Sequence, residues 1–340
     1  MKRVTVYDIA KEAKVSVTTV SRVLNGTAPV KHSTRKKITE LIEKYQFQPN
    51  ALARSLTKKE TKMIGIILPD ITNPFFPEVF TGVENALAEA GYTFFLCTTG
   101  GNDERESAYL GLLREKQVDG IIFMGGRINS VECPPVLAEE VVNLSKHIPI
   151  VLVNGTLPGN PLPRVKTDEY VGAEMVTEHL IELGHRKIGF IGGMEETTTT
   201  VEKVAAFEST LKKHGISPRK DWIRYGDFSV ACGRKLMSGL LKERDRPTAV
   251  FCVNDFTSVG AIKAAIEAGL SIPDDVAIVG FDDTPLASSI IPELTTVSQE
   301  SNRLGVTAFH VLQRLINGEQ VEELSVIQPR LLVRESTVKK

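Results

Sequence analysis

From Lys62 onward, short apolar runs alternate with amphipathic stretches of helical period, and this alternation restricts the fold more than any other feature of the chain. The runs at 63–70 (MIGIILPD), 92–99, 118–125 and 149–155 are rich in β-branched and aromatic residues. Helical stretches at 77–90, 104–116 and 136–145 separate them. Strands apolar on both faces and joined by helices demand a parallel sheet covered on both sides. A second series begins at Asp168, with helices at 170–183, 200–214, 230–242 and 256–268 and strands at 183–193, 222–225, 248–255 and 276–283. Three late segments fit neither series neatly: 295–299 (TTVSQ), a helix at 303–317 and a closing strand at 325–333. The class is α/β, with two doubly wound parallel-sheet lobes.

The stretch ahead of this body differs in kind. Residues 5–25 (TVYDIAKEAKVSVTTVSRVLN) read as two short helices broken by a tight turn. Val6, Ile9, Ala10 and Ala13 form one apolar stripe; Val17, Val20, Val23 and Leu24 form a second, with Val15 in the turn. Ser16 is placed to cap the second helix. Its outer side carries Thr18, Thr19, Ser21 and Arg22, short or basic groups able to reach base edges and phosphates, as a recognition helix in a major groove does. An ordinary helical hairpin with a polar face is the alternative. A third helix is expected from Ser33, as N-cap, to Tyr45, giving a three-helix head. Lys31, Thr34 and Arg35 lie where amides and basic groups can hold a phosphate. After the breaker at 47–50 comes a short helix capped by Asn50, too short to be stable alone in water.

Charge divides the chain the same way. Residues 1–62 carry 14 Lys and Arg against 5 Asp and Glu, a net of +9, and the remainder carries 27 against 37, a net of −10. A basic head on an acidic body is a footprint for nucleic acid. No apolar run is long enough to span a membrane, and the opening residues lack the apolar core of a signal peptide, so a cytoplasmic protein without membrane contact is expected. The four cysteines show no ligand spacing and read as reduced thiols, two of them in strand cores; the six histidines show no ligand spacing either. Neither metal nor cofactor is expected.

Taken together, TVYDIA, VSVTTVSRVLN, the QPN before the short helix and ALARSL resemble the lactose-repressor/galactose-repressor (LacI/GalR) family of bacterial transcription regulators. The resemblance extends over the body through ITNPFF, LGHRKIGFIGG, RPTAVFCVND, VGFDD and LTTVSQ. It implies a helix-turn-helix head at 1–48 and a hinge helix and linker at 49–61, followed by a type I periplasmic-binding-protein-like body. The lobes of that body are expected at 62–161 with about 293–323, and at 162–292 with about 324–340. The resemblance also implies a homodimer on a palindromic double-stranded operator and a small-molecule effector, a sugar or related metabolite, between the lobes. Thr18, Thr19 and Arg22 become base-reading candidates; Val17 either meets a thymine methyl or packs within the head. Thr5, Tyr7, Ser16, Ser21, Asn25 and Thr34 become DNA-backbone candidates. Asn50, Ala53 and Leu56 would act in the minor groove, with Leu56 as an apolar wedge at the central step. The closing ESTVKK shows no leucine heptad, which favours a dimer over a tetramer.

A ligand in an open α/β body binds beyond the carboxyl ends of its strands. That places Phe75, Phe76, Asn154, Phe228, Asn254 and Asp282 at a cleft, and the resemblance adds Thr199 and Lys203. Rings can stack on a sugar or base while Asp and Asn accept and donate. Where the family often carries an arginine, this chain has Lys203, a point charge in place of a planar fork. The adjoining Glu195 and Glu196 suit a hydroxylated or cationic ligand, or belong to a solvated loop. No nucleophile elbow, Walker lysine loop or paired His/Asp grouping appears, so no enzyme is expected. A sugar-binding transport protein with the same body, and a regulator served by a protein corepressor, are the competing readings.

Overall fold

The computed structural model describes residues 4–25, 28–47, 60–157, 159 and 162–338. The chain divides into two compact units, Met1–Thr61 and Lys62–Lys340. The expected hinge helix, with Asn50, Ala53 and Leu56, lies outside the described residues.

In the first unit, α1 (Val6–Ala13), α2 (Val17–Asn25) and α3 (His32–Lys44) enclose Ile9, Ala10, Ala13, Val20, Ile38 and Leu41. Thr5 and Asp8 cap α1 reciprocally: the Asp8 amide donates to the Thr5 hydroxyl (3.3 Å) and the Thr5 amide to the Asp8 carboxylate (2.8 Å). The helix stops where Lys14 turns left-handed (φ 59°), and the Val15 amide reaches back to Ala10 at 3.0 Å. Ser16 caps α2 through the Thr19 amide at 3.2 Å, as its position predicts. The expected cap at Ser33 is not formed. Helix α3 opens at His32 with extended Lys31 before it, and the Lys31 carbonyl takes the Arg35 amide at 2.9 Å, so Ser33 falls inside the first turn. Glu12 ties α1 to the end of α3 by accepting from Lys44 (2.9 Å) and Tyr45 (2.7 Å).

The second unit is a pair of α/β/α lobes. The first has a six-stranded parallel sheet in the order β11-β5-β4-β3-β1-β2, where β1 is Met63–Leu68, β2 Thr93–Thr98, β3 Gly120–Met124, β4 Ile150–Val153, β5 Arg164–Thr167 and β11 Leu324–Ile327. Helices α4 (Phe75–Glu89) and α11 (Ser301–Ile316) cover one face; α5 (Asp103–Glu115) and α6 (Pro135–Ser145) cover the other. The second lobe has a parallel sheet in the order β7-β6-β8-β9: Ile223–Arg224, Ile188–Ile191, Ala249–Cys252 and Ala277–Val279. Helices α7 (Glu169–Glu182) and α8 (Thr198–Lys213) lie on one side, α9 (Val230–Leu241) and α10 (Asp255–Glu267) on the other.

The sheets correct the expected lobe limits. Strands β5 and β11, placed in the second lobe by boundaries at 162 and 324, pair with each other and with β4 in the first. The expected strand at 325–333 is two strands of different sheets: β11 ends before Pro329, and β12 (Arg330–Leu332) pairs antiparallel with β10 (Thr296–Ser298). Parallel bridges from Val279 to Thr295 and from Asp282 to Ser298 add the β10 segment to the edge of the second sheet, while α11 packs on the first. The chain therefore crosses between lobes near 168, 299 and 328. Helix starts also moved: α4 opens at Phe75 rather than 77, because Pro77 is tolerated within a first turn.

Each lobe joins two helices by close approach of backbones. A Cβ on Gly305 of α11 would stand 2.0 Å from the Val79 carbonyl of α4, and one on Gly82 of α4 would stand 2.0 Å from the Asn302 carbonyl. In the second lobe Gly260 and Gly233 play the same parts between α10 and α9, each 2.1 Å from a facing carbonyl. Backbone cannot yield as a flexible side chain does. Gly260→Ala and Gly305→Ala are each expected to lower the unfolding free energy by about 1–3 kcal/mol. Gly111→Ala, on an open face of α5 with nothing within 4 Å, should raise it by about 0.5–1 kcal/mol. Urea unfolding of the three variants checks the contrast; a common sign would refute it.

Candidate DNA-reading face and ligand cleft

The head presents α2 with its polar side outward. Thr18 and Arg22 are exposed one turn apart, Thr19 and Ser21 are half-buried, and Val17 is half-buried against the head core. Tyr7 is 71 % exposed, large for an aromatic ring with a small apolar core beside it. Thr34 is half-buried in the first turn of α3. Capping already engages two candidates. The Thr5 hydroxyl donates to Asp8 (2.6 Å), and the Ser16 hydroxyl lies 2.9 Å from that of Thr19. Asn25 closes α2.

In the body, the strand order reverses between β1 and β3 and again between β6 and β8, and the loops beyond these strand ends face one another across a cavity of about 720 Å³. All eight residues expected at the cleft line it: Phe75, Phe76, Asn154, Thr199, Lys203, Phe228, Asn254 and Asp282. The rings of Phe75 and Phe76 meet edge to face at 5.3 Å at the start of α4. Phe228 and Phe256 supply rings from the second lobe.

Several of the polar candidates have their hydrogen-bonding capacity committed to the framework. Asn254 caps α10 by accepting from the Thr257 amide (2.8 Å), and its amide group donates to the Phe228 carbonyl (3.2 Å). Lys203 is buried, ion-paired with Glu169, and lies 4.1 Å from the centre of the Phe281 ring. Asn154 accepts from the Thr167 amide (2.8 Å) and donates to Gln299 (3.0 Å), whose own amide donates to Asp282 (2.7 Å). That chain runs from the first lobe through the crossing segment into the second. Asn154 (φ 52°) and Asp282 (φ 111°) both hold left-handed backbones there, and for Asp282 the amide bond to Val297 (2.8 Å) helps to maintain it. Burial, and then the nearby Asp255, push the Asp282 carboxyl well above the usual range; burial raises Asp255 itself to about 7.

Residues the sequence did not single out complete the walls. Arg127, on the turn after β3, is buried and spends every N–H. Nε donates to Glu106 (2.7 Å), Nη1 to the Leu137 carbonyl (3.0 Å) and Glu140 (2.7 Å), and Nη2 to the Asp103 carbonyl (2.9 Å) and Ser107 (2.9 Å). It binds the amino ends of α5 and α6 together. An arginine directly after the Gly125-Gly126 end of a strand was the available signal. Gln299 and Glu169 carry no such signal, since their partners lie far off in sequence.

The front edges of the lobes touch through backbone. Ser130 and Thr197 form an antiparallel bridge, and the Val131 amide donates to the Glu196 carbonyl at 2.8 Å. This bond flanks the Ser130–Thr197 pair, making it the narrow kind with Cα atoms about 4.5 Å apart, within the span of a disulfide. A Ser130→Cys/Thr197→Cys double variant should therefore oxidise under mild conditions, read as loss of two free thiols and a rise in melting temperature on oxidation. Failure of these thiols to pair in the folded protein would show that the bridge does not form.

Residues 5–50 match the family of bacterial regulatory proteins, lacI family, and residues 177–337 match the periplasmic binding protein-like domain. The chain is 38 % identical over 337 residues to catabolite control protein A of Priestia megaterium, covering 98 % of this chain and 99 % of that one. It is 36 % identical over 334 residues to the HTH-type transcriptional repressor PurR of Photobacterium profundum, covering 98 % of each. Among solved structures it is similar to the lac repressor dimer bound to operator and an anti-inducer, with a TM-score of 0.88 at 26 % identity, covering 99 % of this chain and 100 % of that one. A second similar structure is the transcriptional regulator CelR in complex with cellobiose, with a TM-score of 0.72 at 29 % identity, covering 98 % and 100 %.

Proposed function

The chain belongs to the lacI family of bacterial regulatory proteins, and from that premise we propose a cytoplasmic transcriptional repressor that reads a palindromic operator as a homodimer and is switched by a small molecule in its cleft. The observation that carries the proposal is the outward face of α2, with Thr18 and Arg22 exposed on a Ser16-capped helix, in a chain whose body encloses a ligand-sized cavity. Arg22 reads guanine, and Thr18 and Thr19 the neighbouring base edges. Tyr7, Ser16, Ser21, Asn25 and Thr34 hold phosphates, and Thr5 supports them by fixing the start of α1. Val17 packs with the head core and reaches DNA only at its margin. Asn50, Ala53 and Leu56 act as the minor-groove hinge. The second copy docks partly through edge strand β2, which leaves Phe94 37 % and Leu96 36 % exposed.

The cleft binds rather than turns over its ligand. Phe75, Phe76 and Phe228 supply its flat apolar faces and Thr199 an adjacent hydroxyl. Asn154, Lys203, Asn254 and Asp282 shape it through bonds they already make. The sugar bound in the CelR complex makes a sugar or related metabolite the first class to try. No helix among the described residues is long and apolar enough to cross a membrane.

Selection of binding sites from a random duplex pool tests the reading. A palindrome is expected from the wild type. Arg22→Ala should lose about 1–3 kcal/mol of discrimination at one base pair in each half-site while keeping affinity for the remaining positions. Recovery of no sequence preference by the wild type, alone and in cell extract, would overturn the function.

A further inference from the structure

The charges around the cavity say which ligands it admits. Six carboxyl side chains and two cations are among the described residues lining it. Both cations are already paired: Arg127 directs all its N–H groups into the first lobe, and Lys203, itself buried in the wall, pairs with Glu169. Asp70, Asp103, Glu196 and Asp227 face no lining cation that is not already engaged. The wall also offers an open acceptor. Asn129 gives its amide group to the Asn154 carbonyl at 2.7 Å, and its own buried Oδ1 accepts no hydrogen bond among the described residues. An anion placed here would be repelled by these four exposed carboxylates, which no free lining cation offsets. A hydroxyl or ammonium group would instead find acceptors, with the rings of Phe76 and Phe228 against its carbon skeleton.

Building on the effector reading above, we infer that the cleft selects a neutral polyhydroxylated or amine-bearing ligand and rejects phosphorylated and carboxylated ones. The selectivity lies in the engagement of Arg127 and Lys203 as much as in the acidic groups.

Charged thiol reagents measure the potential without knowledge of the ligand. Thr199→Cys on the second-lobe wall and Ser130→Cys on the first are made separately in the full-length Cys232→Ser protein; the other native thiols are buried. Each is reacted with a cationic (trimethylammonium-ethyl) and an anionic (sulfonato-ethyl) methanethiosulfonate, with rates normalised to free cysteine. The cationic reagent is expected to be favoured at least fivefold at both sites, and adding Glu196→Gln with Asp227→Asn should bring the ratio towards one. A ratio at or below one, or one unmoved by the two neutralising changes, would overturn the assignment. So would a glucose 6-phosphate or glucuronate that shields either cysteine better than glucose does. Cysteines inert to both reagents would instead remove the open binding cleft on which the inference rests.

Discussion

The body depends on one line of hydrogen bonds: Thr167 to Asn154, Asn154 to Gln299, and Gln299 to Asp282. The lobes share no sheet, and the chain passes between them at three places close to this line. A buried polar chain of this sort is stabilising only when every member is satisfied. Asn154 uses both ends of its amide, Gln299 does the same, and Asp282 accepts at the end of the row. The left-handed backbones at Asn154 and Asp282 aim those side chains at one another, so local strain is offset by the network it allows. Thr167 adds a second tie by donating its hydroxyl to the Gln299 carbonyl at 3.0 Å.

Opposite demands act at the front of the cleft. Among the described residues, the Ser130–Thr197 bridge and its neighbouring amide bond join the lobes there through groups that water can satisfy as well, and a partly exposed Lys166–Glu202 ion pair (3.0 Å) also spans them. A firm join at the crossing strands and a weak one at the opening describe a hinge with a latch. A ligand that contacts both walls changes the latch's opening equilibrium by its differential affinity for the two forms. The saturated Arg127 cluster keeps the first-lobe wall rigid while this happens, since moving it would leave a buried guanidinium and Glu106 unpaired.

Much of this was legible in the sequence because local patterns set it. The apolar runs located most strands but gave no strand at 164–167, where Arg164 and Lys166 break the apolar pattern, and the stripe from Val6 to Leu24, with Ser16 between, marked the turn and cap of the head. Six of the eight cleft candidates were readable because strand ends in doubly wound sheets have a known address, and the family resemblance supplied Thr199 and Lys203. What escaped was decided by distant partners. The sheet membership of 164–167 and 324–327 depends on a pairing between segments 160 residues apart, and neither segment carries a mark of it. Ser33 looked like a cap, yet the extended Lys31 opened α3 first. The ion pair of Lys203 with Glu169, and the bond of Asn154 to Gln299, join residues whose spacing in the sequence gives no sign of either contact. The mid-helix glycines Gly233 and Gly260 were visible but silent until the facing helix was known.

The proposed switch runs from a ligand in the cleft, through lobe closure, to the affinity of the head for DNA. It is tested most directly by measuring operator affinity, by fluorescence anisotropy, for one preparation of the Ser130→Cys/Thr197→Cys protein in its oxidised and reduced forms. The locked form is expected to differ from the reduced form by tenfold or more and to cease responding to ligand. Equal affinities in the two forms, with ligand response intact, would contradict it.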